Sequence, residues 1–491
     1  MKSRLIKIIS FLIVLVVVLG VGLYVNTLMS FKDSQLVVDS PLPEAPIDRE
    51  SAVARFAKSI QFKTVSYDDP SRLNAEAFLG LHKHIQNSFP LIHEKAEHYT
   101  ISEYSLVYHL KGSDASLQPV LFMGHTDVVP VDEGTAEQWE QQPFSGAVVD
   151  DTVWGRGTID DKVTVMALLE AMETHLKNGF APKRSIYFAF GHDEEIGGKQ
   201  GAAKIAEHFK QQGLSFEFVL DEGGAITQGV MTGIEQPVAI IGVAEKGFVN
   251  LRLTVSSEGG HSSQPPNHTA AGILSQAIVN IENNQFDTDL SHSYNTFSHV
   301  AAYAPFSLQL PMANLWLFSP IVKQTMLASP SSAAGIRTSI AATMLEGSSK
   351  SNILPTVASA VVNVRILPGD TIASVKQHIT EAINDPRVKV ETFMENEPSQ
   401  VSPTDSLGYR LIEANIRRMD DSILVAPYLV MGGTDSKHFY ELSDNVYRFM
   451  MVRLDKQSLK RFHGVNEQLA VDDYIKAVSY FYSMIEDAGS K

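Results

Sequence analysis

The chain reads as an α/β protein. It is expected to hold a discontinuous domain with a mostly parallel sheet flanked by helices, an inserted α+β domain, and a single apolar helix at the N-terminus. Three observations predict this. Strand-like and helix-like patterns alternate from residue 49 to 245, as in a wound α/β sheet. At 246 the texture changes to the half-buried alternation GFVNLRLTVSS. The first 30 residues carry a nearly unbroken apolar run.

The N-terminus opens with Lys2, Arg4 and Lys7, and the apolar run then extends from Ile8 to Val25. At the rise of a helix that run spans about 27 Å, close to the hydrocarbon thickness of a bilayer. It is long for a signal peptide, and no small-residue cleavage site follows. Residues 1–30 are therefore expected to be an uncleaved, single-pass signal anchor, with a cleaved, secreted form as the alternative. The flanking cations keep the N-terminus cytoplasmic and put the rest on the periplasmic, extracellular or lumenal side. Residues 31–48 contain three prolines and no periodicity, and are expected to be a tether.

The main domain is expected at 49–245 and again at 369–491. Its first part reads as the helix SAVARFAKSIQF, the strand VLFMGH, the helix KVTVMALLEAMETHLKNG ending near Gly179, the strand SIYFAFGHDEE, the helix GAAKIAEHFKQQG and the strand FEFVLDEGG. The insert, 246–368, holds the alternating strand GFVNLRLTVSSEGGHSS, the helix HTAAGILSQAIVNIENN and the strand ASAVVNVRILPG. Its apolar stretch ANLWLFSPIV is expected to be lid core rather than a lipid-binding face.

Composition narrows the function. A formal net charge of -16 argues against nucleic-acid binding, which needs basic patches. The absence of cysteine excludes disulfides, a thiolate nucleophile and thiolate-held metal. Any metal must be held by His, Asp and Glu.

In an open α/β sheet, ligands gather at the carboxyl ends of the strands. There the sequence places His125 and Asp127, then Asp160 and Asp161, then Glu194 and Glu195, then Asp221 and Glu222. Asp435 and His438 stand near the C-terminus. Converging carboxylates repel unless they are protonated or bridged by a cation. Two histidines and three carboxylates suit a pair of divalent ions, zinc by preference, with Co2+ or Mn2+ as substitutes. Such a centre activates water and polarises a carbonyl.

GHTDVVPV, WGRGTIDDK, GHDEEIGG, LDEGG, GGHSSQPP and GGTDSKHF occur in this order. Together they resemble the co-catalytic zinc hydrolases of peptidase family M-20, and in particular the carboxypeptidase S branch with its N-fatty-acyl-amino-acid hydrolase/synthase members. The likeness runs from about residue 50 to 487. It implies that Asp160 bridges two Zn2+ ions, with His125 and Asp221 completing one site and Glu195 and His438 the other. It implies that Glu194 is the general base, that Asp127 holds the His125 ring, and that the Asp160–Asp161 peptide is cis. His261 is implied as an oxyanion donor. Asn352 and Arg365 are implied as substrate contacts, the arginine clamping a free carboxylate.

The remaining polar residues are expected to be structural. His192 and Asp161 fix local geometry, Glu222 is a hydrogen-bonded neighbour of a ligand, and His463 and Glu467 of HGVNE make local contacts. GGHSSQPP lacks the elbow of a serine nucleophile.

The expected activity is a membrane-anchored di-zinc amidohydrolase or metallocarboxypeptidase. It cleaves an N-acyl-amino acid or a C-terminal peptide bond, so the substrate is a small molecule or short peptide with a free carboxylate. An aminopeptidase or dipeptidase, or a metal-free binding module, are the competing readings. In some family members the insert dimerises and lends its histidine across the interface, and in others the histidine acts within its own chain, so the resemblance leaves a homodimer through the insert as one of two arrangements.

Overall fold

The structure, a computed structural model, describes residues 2–490. It divides into two compact units. The larger comprises Ser34–Val243, Ser402–Tyr428 and the chain from Thr434 on; the smaller comprises the residues up to Asp33, Ala244–Val401 and Leu429–Gly433.

The larger unit is organised on a mixed sheet. Four strands run parallel side by side: Ile186–Gly191, Val120–His125, Phe218–Asp221 and Val446–Arg448. They are buried along their length and mostly apolar, as expected where helices cover a sheet twice. The sheet is not mostly parallel as the sequence suggested. On one side the hairpin Glu97–Ile101 with Ser105–Leu110 adds two antiparallel strands. Its turn is made by Ser102 and Glu103, both at positive φ (49° and 70°), and no glycine marks it.

The helix Lys162–Lys177 is buried along nearly its whole length, and it packs against the C-terminal helix Val471–Ser490. Gly179, at φ 78°, ends it in the left-handed conformation that glycine favours at this position. Residues 34–48 are not a loose tether. The Gln35 amide bonds both the N–H (2.6 Å) and the C=O (3.0 Å) of Val425, the Leu42 N–H donates to Arg418 O (2.7 Å), and the Ala45 N–H donates to Ser479 Oγ (3.1 Å).

The smaller unit has a four-stranded antiparallel sheet ordered Ser339–Glu346, Val357–Ile366, Gly247–Ser256, Val388–Asn396. Its inward residues Val249, Leu251, Leu253, Val362 and Val364 pack under the helices Ala270–Asn283 and Ile372–Ile383. The unit therefore does not close at residue 368. The strand Val388–Asn396 pairs with Gly247–Ser256, and this carries the unit on to Val401. The helix Lys2–Ser30 belongs to this unit, and its segment Ser3–Ser30 is long and apolar enough to cross a membrane.

Candidate active site

The carboxyl ends of the parallel strands gather a buried polar cluster, all of it in the larger unit. His125 closes its strand and is 1% exposed. Its Nδ1 lies 3.0 Å from the carbonyl of Asp127, and its Nε2 lies 2.9 Å from Asp160 Oδ1. Asp127 serves two partners besides the ring, because its Oδ1 and Oδ2 accept the N–H groups of Glu194 and Glu195, each at 3.2 Å. The imidazole and the glutamate turn are thus held by one carboxylate. Burial works to raise the Asp127 carboxyl, but the hydrogen bond and charge of His125 prevail and hold it below the usual range.

Asp160 is reached by two histidines, one on each oxygen. His125 Nε2 meets Oδ1, and His463 Nε2 lies 2.7 Å from Oδ2 and 3.4 Å from Glu195 Oε2. Against its burial, these two rings keep the Asp160 carboxyl well below the usual range. The Asp160–Asp161 peptide is cis. Glu467 fastens the segment ahead of it: its Oε1 accepts the N–H groups of Gly157 (3.0 Å), Ile159 (2.8 Å) and Asp160 (3.4 Å), and its Oε2 accepts from Arg156 (2.7 Å). Arg156 in turn donates to the carbonyls of His463 (3.2 Å) and Gly464 (3.0 Å).

Two groups of potential ligand atoms result: His125, Asp160 and Glu222, and Asp160, Glu195 and His463. Within each group the atoms lie within 4.8 Å of one another. Asp221 and His438, the other two expected ligands, fall outside both groups. Asp221 is the last residue of its strand, and its Oδ2 accepts the N–H of Ser436 at 2.7 Å. Successive residues of an extended chain point to opposite sides, so it is Glu222, one step on, that joins His125 and Asp160. His438 sits in the turn Asp435–His438 with its Nε2 3.2 Å from Gly197 O. Burial, with Lys437 beside it, lowers its imidazole to about 4. His463 and Glu467, expected to make only local contacts, are a candidate ligand and the support of the Asp160 segment. Both stand in HGVNE, where His463 reaches Asp160 and Glu467 the backbone ahead of it.

The cluster fits a metal by its own electrostatics. Burial comes first in raising Glu195 and Glu222 well above the carboxylate range, and Asp160 adds to it in both. Burial also raises Glu194 to about 7, a rise that His125 and Lys437 oppose. Carboxylates that repel one another next to two imidazoles form a donor set for divalent cations. His192 lies outside both groups, its Nδ1 2.7 Å from Ser105 Oγ.

The other expected site residues belong to the smaller unit. His261 is exposed, and its Nδ1 is 2.8 Å from Ser263 Oγ. The exposed Asn352 accepts the Ser262 N–H through its carbonyl at 3.2 Å. Arg365 lies on the strand Val357–Ile366 with its guanidinium 5.7 Å from the Phe248 ring centroid.

A strand-end cluster of this make-up, on this sheet, belongs to metal-dependent hydrolases. The profile described as Peptidase family M20/M25/M40 matches residues 121–487, and the chain belongs to this family. It is 38% identical over 438 residues to probable carboxypeptidase S-like 2 of Dictyostelium discoideum, spanning 88% of this chain and 84% of the relative. It is 39% identical over 446 residues to the N-fatty-acyl-amino acid synthase/hydrolase PM20D1 of Xenopus tropicalis, spanning 90% of this chain and 86% of the relative. In fold it is similar to the M20 family metallo-carboxypeptidase Sso-CP2 from Sulfolobus solfataricus, with a TM-score of 0.66 at 16% identity over 89% of this chain and 99% of that one. The protein is a metallohydrolase, and its substrate is a small molecule or a peptide.

Proposed function

We propose that the protein is a membrane-anchored di-zinc amidohydrolase that cleaves N-acyl-amino acids, releasing an amino acid with a free carboxylate. The observation that carries this reading is the pair of ligand groups sharing Asp160. His125, Asp160 and Glu222 hold one ion, and Asp160, Glu195 and His463 the other. Zinc suits a set of imidazoles and carboxylates. Bound there, the ions supply Lewis acidity, lowering the pKa of water and polarising the scissile carbonyl.

The protein's own groups do the rest. Glu194 takes a proton from the attacking water and returns it to the leaving amine nitrogen, a role that suits a carboxyl raised to about 7 by burial. Asp127 orients the His125 ring and fixes the Glu194–Glu195 backbone, so the base and the ligands keep one geometry. His261 stabilises the oxyanion, Asn352 contacts the substrate and Arg365 clamps its carboxylate. Their support is their chemistry and their place in the motifs GGHSS, SNILP and NVRILP.

The segment Lys2–Ser30 anchors the chain, with its cationic end in the cytoplasm and the chain beyond residue 30 on the far side. The smaller unit acts as the inserted lid and as the surface for homodimerisation. A long-acyl substrate is favoured over a peptide by the similarity to an N-fatty-acyl-amino acid synthase/hydrolase together with the anchor.

The test is amino-acid release by the zinc-loaded full chain from N-acyl-amino acids, acetyl to oleoyl, alongside dipeptides. Glu194→Gln and chelated samples serve as controls. Long-acyl substrates should be preferred, the chelated sample should be inactive, and the Glu194→Gln variant should keep only a small residual rate. A preference for dipeptides overturns the acyl-substrate reading. Two bound ions without any turnover overturns the amidohydrolase reading.

A further inference from the structure

The helix Leu315–Leu327 is apolar on two sides. One side closes a small core, where Val322 is buried with Leu290 and Ile336, and Leu315, Phe318 and Met326 pack against them. The other side carries Trp316, Leu317, Pro320 and Ile321, whose spacing puts them on one helical face. That face is open: Trp316 is 70% and Ile321 60% exposed. Phe306, which begins the preceding helix Phe306–Ala313, is exposed as well. The stretch that the sequence suggested as buried core is only half buried.

The surrounding sequence is depleted of one charge. From Leu290 to Leu345 there is no Asp or Glu, in a chain whose formal net charge is -16. The only Lys and Arg residues there are Lys323 and Arg337. An apolar face meant for water has no need to shed acids, whereas one meant for anionic headgroups does.

The junction between these two helices is pinned to the end of the N-terminal helix. Asn314, buried between the two short helices, donates through Nδ2 to Thr27 Oγ1 (3.1 Å). Asn26 donates through Nδ2 to Ala313 O (2.9 Å) and to Asn314 Oδ1 (3.0 Å). The Tyr24 ring centroid lies 5.4 Å from that of Phe306. Just beyond the helix, Phe31 meets Phe297 edge-on at 5.6 Å, and Asp33 accepts from Tyr303 Oη at 2.7 Å. The helices that carry the exposed apolar residues are thus joined to the last turns of a helix that, among the described residues, is the one long and apolar enough to cross a membrane.

We propose that the helices Phe306–Ala313 and Leu315–Leu327 form a membrane-interface element, lying in the headgroup region beside the N-terminal helix with Trp316, Leu317 and Ile321 buried among acyl chains. Indole rings favour this depth, and an amphipathic helix with a wide apolar face lies in the plane of the interface. The occupant is a lipid bilayer; the polar lock of Asn26, Thr27 and Asn314 sets the depth. The proposal rests on the reading of Lys2–Ser30 as an anchor.

Trp316 supplies the probe. The other two tryptophans, Trp139 and Trp154, are not exposed, so Trp316 is the open indole of the three. The full chain is reconstituted into phosphatidylcholine/phosphatidylglycerol vesicles with and without acyl-brominated lipid. Flotation after an alkaline wash reads the anchor. Quenching of tryptophan emission by bromolipid reads the interface element. The expected result is alkali-resistant flotation together with a bromolipid-quenched component that disappears in Trp316→Phe, with hydrolytic activity retained in that variant. Flotation with Trp316 quenched only by aqueous acrylamide overturns the interface element and leaves the anchor standing. Flotation with Trp316 shielded from both quenchers marks a protein–protein contact, a second copy included, and also overturns it. A chain that fails to float overturns the anchor and the proposal with it.

Discussion

Nε2 of His463 lies 2.7 Å from Oδ2 of Asp160, a contact between residues 303 positions apart. On the other oxygen, 2.9 Å away, stands His125. The aspartate is thus flanked by two imidazoles, one on each oxygen. His463→Ala is expected to cost one of the two bound ions and most of the activity. His438→Ala is expected to keep both ions, because its ring faces the Gly197 carbonyl. Metal content per chain, measured after gel filtration in metal-free buffer, separates the two variants. Ion loss in His438→Ala with retention in His463→Ala reverses the assignment.

Glu194→Gln should lower kcat by about 10²–10⁴ while leaving the metal content unchanged, as expected for loss of a general base. Burial raises this carboxyl to about 7, and bound cations pull it down. The group must be ionised to accept a proton, so kcat should rise with pH along a limb with its midpoint at or below about 7. That limb should vanish from the residual rate of the glutamine variant. A wild-type limb well above this range assigns the proton transfer to another group.

Arg156 and Glu467 form a buried ion pair at 2.7 Å, and the same two side chains hold five further backbone groups near Asp160 and His463. Removing one charge leaves the other buried and unpaired. Arg156→Met should therefore destabilise the protein by about 3–5 kcal/mol. Thermal unfolding with metal present reads the effect, and a loss below about 1 kcal/mol marks the pair as dispensable.

Lys246 is buried, and its Nζ donates to the carbonyls of Ala334 and Arg337, each at 2.9 Å. Burial, aided by Arg365 and Arg337, lowers its ammonium to about 8 from the ordinary 10.5. Between these values the unfolded chain binds a proton that the folded chain has released. Stability contributed by this group therefore rises with pH from about 8 to about 10. Lys246→Met should flatten that rise. Unfolding curves at pH 8, 9 and 10 test it, and an unchanged slope in the variant rejects the assignment.

The parts of the site that are contiguous in sequence were legible. His125 and Asp127 end one strand, Glu194 and Glu195 follow another, and the cis peptide falls between Asp160 and Asp161 where the motif put it. Illegible was whatever depends on a single step of the backbone or on distant reach. Asp221 and Glu222 are adjacent acids, and only the strand's alternation, with the Ser436 N–H on Asp221, tells them apart. His438 and His463 are both near the C-terminus. The second reaches the cluster from a residue at φ 57°, held by the Arg156 bonds to its backbone. The mixed character of the sheet was hidden for a similar reason, since Ser102 and Glu103 turn a hairpin without the residues that usually announce one. In the smaller unit, Val388–Asn396 alternates weakly, and only its pairing with Gly247–Ser256 assigns it there.

The two clasps on the Asp160 segment come from residues 463 and 467 of a 491-residue chain. During synthesis, His125, Asp160, Glu195 and Glu222 emerge long before them. A growing chain thus carries an incomplete donor set through almost all of its translation. The group of Asp160, Glu195 and His463 cannot be assembled until the last stretch has left the ribosome. In this sense the second group is a property of the finished chain, and any truncation that removes HGVNE should yield a chain that never forms it.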